Sequence, residues 1–310
     1  MLTVLKPLFK VLEDKVKEVE GDFVLVEKKE VRIEFDTGLH VSVIGSAKEL
    51  IKEINFEQGS LTSNLFDNID FMQGYILCEE GILFDVRFAF FLTKHKPLPT
   101  FAKAFAKGKN IVKNISGFFL PVYNVKSLNY DIVPHLHIVF ENVESGKVFS
   151  GHLIDASAGH LKVKMVPLTG KTIKRDVDPN TGLMYLRTYP AGDFNPKSGD
   201  TILFAFGPRE KFPTKLFKLL SKYDISKARI VFAVGTLTSA YLNGSSGEII
   251  VRPREGLELA YTKGEVMFKE GSFNHKMIVH LTDRYGKQYK GMLSHGRVKE
   301  LVEGLIKVEN

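Results

Sequence analysis

A hairpin-shaped stretch that occurs twice constrains this chain more than any other feature. The segment "HLHIVFENVESGKVFSGHL", His135 to Leu153, is matched by "HKMIVHLTDRYGKQYKGML", His275 to Leu293; aligning Gly146 with Gly286 brings Gly151 onto Gly291 without a gap. A chain that repeats a unit folds as repeated supersecondary structure, so the repeat is read before anything else. Upstream of each hairpin stand "FAFFLTKHKPLPTFAKAFAKGKNI", Phe88 to Ile111, and "LFAFGPREKFPTKLFKLLSKYDI", Leu203 to Ile225. Both combine an apolar strand-like run, a basic proline-containing turn and a segment with apolar residues three or four apart. That spacing predicts an amphipathic helix in each.

Between the copies, "GKTIKRDVDPNTGLMYLRTYPAGDFNPKSGD" carries many turn formers, and the division is placed near residue 180. The resulting scheme is an N-terminal segment over 1–70, a first unit over 71–180 and a second over 181–310. In the first segment "KPLFKVLEDKV" and "GLHVSV" echo the helix start and the histidine strand, which makes 1–70 a candidate for a third, degenerate copy.

Composition narrows the class. At 310 residues with 44% hydrophobic content the chain can bury two or three cores. No run of about 18 apolar residues occurs and the N-terminus turns charged within one helical turn, so neither a membrane span nor a signal peptide is expected. The expected location is the cytoplasm. The single cysteine, Cys78, can form no internal disulfide and no thiolate metal site by itself. The net charge of +7 is scattered. Its densest basic stretch, with Lys103, Lys107 and Lys109, is the candidate nucleic-acid contact. Neither a P-loop nor a dinucleotide fingerprint is found. The segment "IDASAGHL" resembles part of a cyclic-dinucleotide signature but has no arginine pair before it, since none occurs between Arg87 and Arg175.

Three of the nine histidines fall in the first hairpin. Strand alternation puts His135 and His137 on one face. With a two-residue turn at Glu144-Ser145 or Ser145-Gly146, His152 falls opposite residue 137 or 139 on that face, whereas a three-residue loop would send it to the other side. Three imidazoles around an open fourth position suit zinc. The competing reading is a set of sheet histidines packed at an interface. In the second hairpin the sequence-aligned residues are His275, Met277 and Met292; with thioethers in two places, that copy is expected to hold no metal. If a bound metal activates water, the nearby acids are Glu141 and Asp155, and Glu141 is the better candidate general base because it shares the histidine face.

Taken together, the segments resemble the plants and prokaryotes conserved (PPC) domain family over roughly residues 75 to 308. "PHLHIVF" and "GKVFSGHL" resemble the family's histidine segments; "ARIVFAVGTLTSAYL", "LELAYTKGEVMF" and "GKQYKGMLSHGRV" resemble its later strands. The resemblance implies an α+β fold, repeated units of mostly antiparallel β-sheet with a packed α-helix, which associate as a trimer. A chain carrying three copies would be an intrachain pseudo-trimer. It also implies that His135, His137 and His152 are metal ligands, often read as zinc. Plant members accompany DNA-binding AT-hooks, but "RPR", Arg252 to Arg254, lacks the Gly-Arg-Pro core. The expectation is a non-enzymatic, metal-binding and self-assembling protein. Two alternatives stay open: DNA binding through the basic surface, and zinc-dependent small-molecule chemistry.

Overall fold

The alternation in "KAFAKGKNIVKN" decides much of the architecture. Lys103, Phe105, Lys107, Lys109, Ile111 and Lys113 are exposed, while Ala106, Asn110, Val112 and Asn114 are buried. This is the two-residue period of a strand. A computed structural model of the chain describes residues 16–19, 23–26, 40–44, 50–55, 59–69, 73–92, 100–124, 129–168, 172–177, 184–189, 196, 198–244 and 247–309.

A hairpin of β1 (Val16–Val19) and β2 (Phe23–Val26) stands apart from two larger sheets. Strand β3 (His40–Ile44) belongs to the second sheet. The first sheet has eight strands: β4 (Leu50–Asn55), β5 (Gly74–Cys78), β6 (Gly81–Leu92), β7 (Thr100–Asn124), β8 (Asn129–Asn142), β9 (Lys147–Pro167), β10 (Thr172–Val177) and β11 (Met184–Tyr189). Helix α1 (Leu61–Asn68) follows β4, capped by Ser60, and buries Leu61 and Leu65. The second sheet, also of eight strands, contains β3, β12 (Thr201–Phe206), β13 (Lys211–Phe212), β14 (Lys227–Gly244), β15 (Gly247–Val251), β16 (Leu257–Lys269), β17 (Ser272–Asp283) and β18 (Gln288–Val308). Helix α2 (Thr214–Lys222) packs Leu216, Leu219 and Leu220 into this sheet's core. Ladders are antiparallel apart from one short parallel contact between β10 and β7.

The α+β expectation is therefore corrected. Among the described residues the chain is mostly β, with two short helices of eight and nine residues. The helix expected after "KPLPT" is β7, paired from Thr100 to Val112 with β6. Ala104 and Ala106 face inward, where a small side chain lets neighbouring rings such as Phe88 fill the space, and Phe105 is left 59% exposed. The matching segment of the second half does form a helix, α2. Of the two N-terminal echoes, "GLHVSV" supplies β3, which pairs with β12, and "KPLFKVLEDKV" lies outside the described residues except for Val16.

Both sheets close on themselves along the same path. In the first, β6 pairs with β7, β7 with β8, β8 with β9, and β9 back with β6. In the second, β14 pairs with β16, β16 with β17, β17 with β18, and β18 back with β14. A β-bulge follows Val112 in one ring and Leu259 in the other. Gly117 opposes Leu136 with φ +156°, and Gly264 opposes Met277 with φ +159°. The rings meet across an apolar seam in which Phe118 and Phe232 lie 4.8 Å apart.

Candidate metal centre

The histidine face is created by the turn between β8 and β9. The ladder ends at Asn142 opposite Lys147, leaving residues 143–146 in the turn. An even number of turn residues keeps the parity of a two-residue turn, so His152 sits directly opposite His137. Asn142 fixes that length. Its Oδ1 accepts from Ser145 N at 3.0 Å and from Ser145 Oγ at 2.9 Å, its Nδ2 donates to Lys107 O at 2.8 Å, and Gly146 closes the turn with φ +63°.

His135, His137 and His152 consequently converge. Their ring centroids are 4.7 to 5.3 Å apart, and one nitrogen from each lies within 4.8 Å of the others. His137 and His152 are 2% and 5% exposed. The Nε2 atoms of His135 and His137 are 3.3 Å apart. Two ligand nitrogens at ~2.0–2.1 Å from a tetrahedral zinc are themselves separated by about 3.3 Å, so the spacing fits that ion.

Each of these two imidazoles turns its other nitrogen to a buried carboxylate from the second ring. Glu303 on β18, fully buried, places Oε1 2.7 Å from His135 Nδ1. Glu258 on β16, 2% exposed, places Oε1 3.1 Å from His137 Nδ1. The hydrogen bond from His135 Nδ1 to Glu303 favours the proton there and an Nε2 lone pair directed inward, the arrangement that orients metal-binding histidines and raises their basicity; Glu258 lies close to His137 Nδ1 without hydrogen-bond geometry. Buried carboxylates are costly unless paired with donors, and for Glu303 the His135 imidazole supplies one.

The other predicted residues lie elsewhere. Glu141 is four positions beyond His137 on β8, about 13 Å along the strand; its side chain is 36% exposed and ion-paired with Lys113 at 3.0 Å. Asp155 accepts hydrogen bonds from Ser60 Oγ at 2.8 Å and Thr62 Oγ1 at 3.3 Å at the start of α1. Lys103, Lys107 and Lys109 share the exposed face of β7 with Phe105; Arg87 lies across from Phe105 and Phe84 across from Lys109. Asp85 stands beside them and accepts from Gly108 N.

The second ring departs from the sequence alignment in an instructive way. Its hairpin is one residue shorter: thirteen residues separate Ile278 from Met292, where fourteen separate His137 from His152. Through Gly264 and Met277, the positions corresponding to His135, His137 and His152 are therefore Lys276, Ile278 and Met292, with Ile278 opposite Met292. Ile278 and Met292 are 49% and 41% exposed, while Met277 is buried in the core. His275 faces the other way; its Nε2 donates to Leu293 O at 2.9 Å and its ring lies 5.4 Å from that of Phe217.

Sequence reasoning missed Glu258 and Glu303. Each is a lone acid inside an apolar strand segment, "GLELAY" and "LVEGLIKV". A charge at a core-facing position is the signal that could have found them.

No protein-family model matches the chain, and no curated protein matches it. Among solved structures, a plant- and prokaryote-conserved (PPC) protein of Pyrococcus horikoshii is 23% identical, over 36% of this chain and 79% of its own, with a TM-score of 0.32. A metal-containing protein from Archaeoglobus fulgidus is 19% identical, over 39% of this chain and 87% of its own, at a TM-score of 0.32. A hypothetical protein from Salmonella is 16% identical, over 35% and 77%, also at 0.32.

Proposed function

We propose that the chain is a PPC-like protein of two tandem copies, divided near residue 180, whose first copy binds a divalent metal, zinc by its donor chemistry, on His135, His137 and His152. The observation that carries this reading is the pair of Nε2 atoms 3.3 Å apart, with a buried carboxylate hydrogen-bonded to Nδ1 of His135 and another 3.1 Å from Nδ1 of His137. Packed interface histidines need no such convergence. Three neutral nitrogens with a fourth position open suit zinc better than a hard cation such as calcium, which takes oxygen ligands. When bound, the metal supplies a Lewis-acidic centre able to hold water or a ligand at its open position.

The tandem reading is supported by the shared ring path, the equivalent bulges and the paired glycines Gly117 and Gly264. A holding site is favoured over a catalytic one. Glu258 and Glu303 are engaged on imidazole nitrogens and Glu141 on Lys113. A second reading, nucleic-acid binding, is favoured by one observation, the exposed alignment of Lys103, Lys107 and Lys109 on β7.

The test is elemental analysis of protein purified without a histidine tag, beside His137→Ala. About one zinc per chain, lost in the variant, is the expected result. Protein that stays metal-free after incubation with zinc and dialysis overturns the reading.

A further inference from the structure

The candidate site is assembled from both rings, and among the described residues it is assembled once. The histidines come from β8 and β9, and the carboxylates that orient two of them come from β16 and β18. Nearby, Thr282 Oγ1 of the second ring donates to Ser150 O of the first at 3.1 Å. Apolar packing of Phe118 against Phe232 lies in the same seam. The reciprocal contact is not repeated. Where the first ring has His135, His137 and His152, the second presents Lys276, Ile278 and Met292; where the second has Glu258, the first has Ile111, 37% exposed. The residue corresponding to buried Phe118 is the exposed-face acid Glu265, across from Lys276. One copy has become the imidazole donor and the other the carboxylate donor.

We infer that a metal ion bound by the triad is a clasp between the two rings, with Glu258 and Glu303 as the positioning residues that couple ion binding to docking of the seam. This rests on the metal-binding reading above. A cation on Nε2 withdraws charge from the ring and makes Nδ1–H a stronger donor, which strengthens the His135–Glu303 hydrogen bond and draws Glu258, 3.1 Å from His137 Nδ1, into a charge-assisted bond across the seam. Coupling is reciprocal. Whatever factor the docked carboxylates add to metal affinity, the metal returns to docking. Removing such partners lowers metal affinity by about 10- to 100-fold.

Backbone hydrogen exchange on the full chain, with and without zinc, tests this. With zinc at about a hundred times its dissociation constant, amides that exchange through opening of the seam should slow by up to about a hundredfold. The slowing should reach residues 257–260 and 302–306, which belong to the ring without ligands, as well as β8 and β9. In Glu258→Gln/Glu303→Gln, zinc should still bind, more weakly, and at saturation protect β8 and β9 alone. Zinc uptake by the wild type with protection confined to β8 and β9 overturns the clasp and leaves the metal site standing. Absence of zinc uptake overturns both, and the two failures are told apart by the metal content of the same samples. The wild-type comparison decides the matter even if the double variant does not fold.

Discussion

Substitution of Gly117 by alanine should damage the fold and the metal centre together, whereas the same change at Gly264 should damage the fold alone. A Cβ at Gly117 would lie 2.0 Å from the carbonyl oxygen of His135, and one at Gly264 would lie 1.8 Å from that of Lys276. Both glycines have φ near the positive limit, +156° and +159°, where an L side chain is strained. Strain of this kind costs about 1–3 kcal/mol, and forcing the facing strand aside adds about 1–3 kcal/mol more. Each variant should therefore lose about 2–6 kcal/mol. The strand displaced by Gly117→Ala carries His135, and catalytic or binding geometry tolerates only about 0.5 Å of error. Zinc affinity should then fall by at least about tenfold in Gly117→Ala and stay at the wild-type value in Gly264→Ala. The chain has no tryptophan, so urea unfolding is followed by far-ultraviolet circular dichroism, and affinity by competition with a chelating dye. Equal zinc affinity in the two folded variants would refute the link between this close approach and the site. A loss below about 1 kcal/mol in either would refute the steric argument itself.

Three further outcomes are expected. His280 is held down to about 4 from the ordinary 6.5, first by burial and then by Lys290 across the ladder, with the Tyr261 ring against it. The unfolded chain then takes up a proton that the folded chain refuses; stability from this group is complete above about pH 6.5 and declines as pH falls toward 4, a slope that His280→Gln should remove from urea midpoints. Burial pushes the Cys78 thiol up to about 12, so alkylation at pH 8 should be slower than for an unfolded chain by about a thousandfold, judged by mass spectrometry with and without denaturant. If the basic face of β7 binds nucleic acid, Lys103→Glu/Lys107→Glu/Lys109→Glu should abolish a salt-sensitive mobility shift; binding unchanged in that variant removes the face from consideration.

The histidine geometry was legible because it is local. Alternation within β8 and an even turn are enough to bring His152 opposite His137, and both can be read from nineteen consecutive letters, His135 to Leu153. The carboxylates were not legible in that way. Glu303 stands 168 positions from His135, and only the meeting of the two rings brings them together. The β7 segment shows a different limit. Phe101, Ala104 and Phe105 satisfy helical spacing as well as Ala104 and Ala106 satisfy strand alternation, and the tie is broken by the long ladder with β6, a non-local contact. The glycines Gly117 and Gly264 gave a further signal in hindsight, since a residue without Cβ in mid-strand marks a close approach of another backbone.

The single residue by which the second hairpin is shorter, between Ile278 and Met292, carries a lesson for anyone wishing to give this molecule a second metal ion. A letter-by-letter alignment would nominate positions 275, 277 and 292, and would plant imidazoles on opposite sides of the sheet, one of them displacing the buried Met277. The pairing of strands nominates Lys276, Ile278 and Met292 instead, three side chains that already share a face. Histidines there would still lack their backing acids, because the first ring offers Ile111 where the second offers Glu258. Transplanting the centre thus means moving a face from each of two halves, and the unit of inheritance is the contact between the rings.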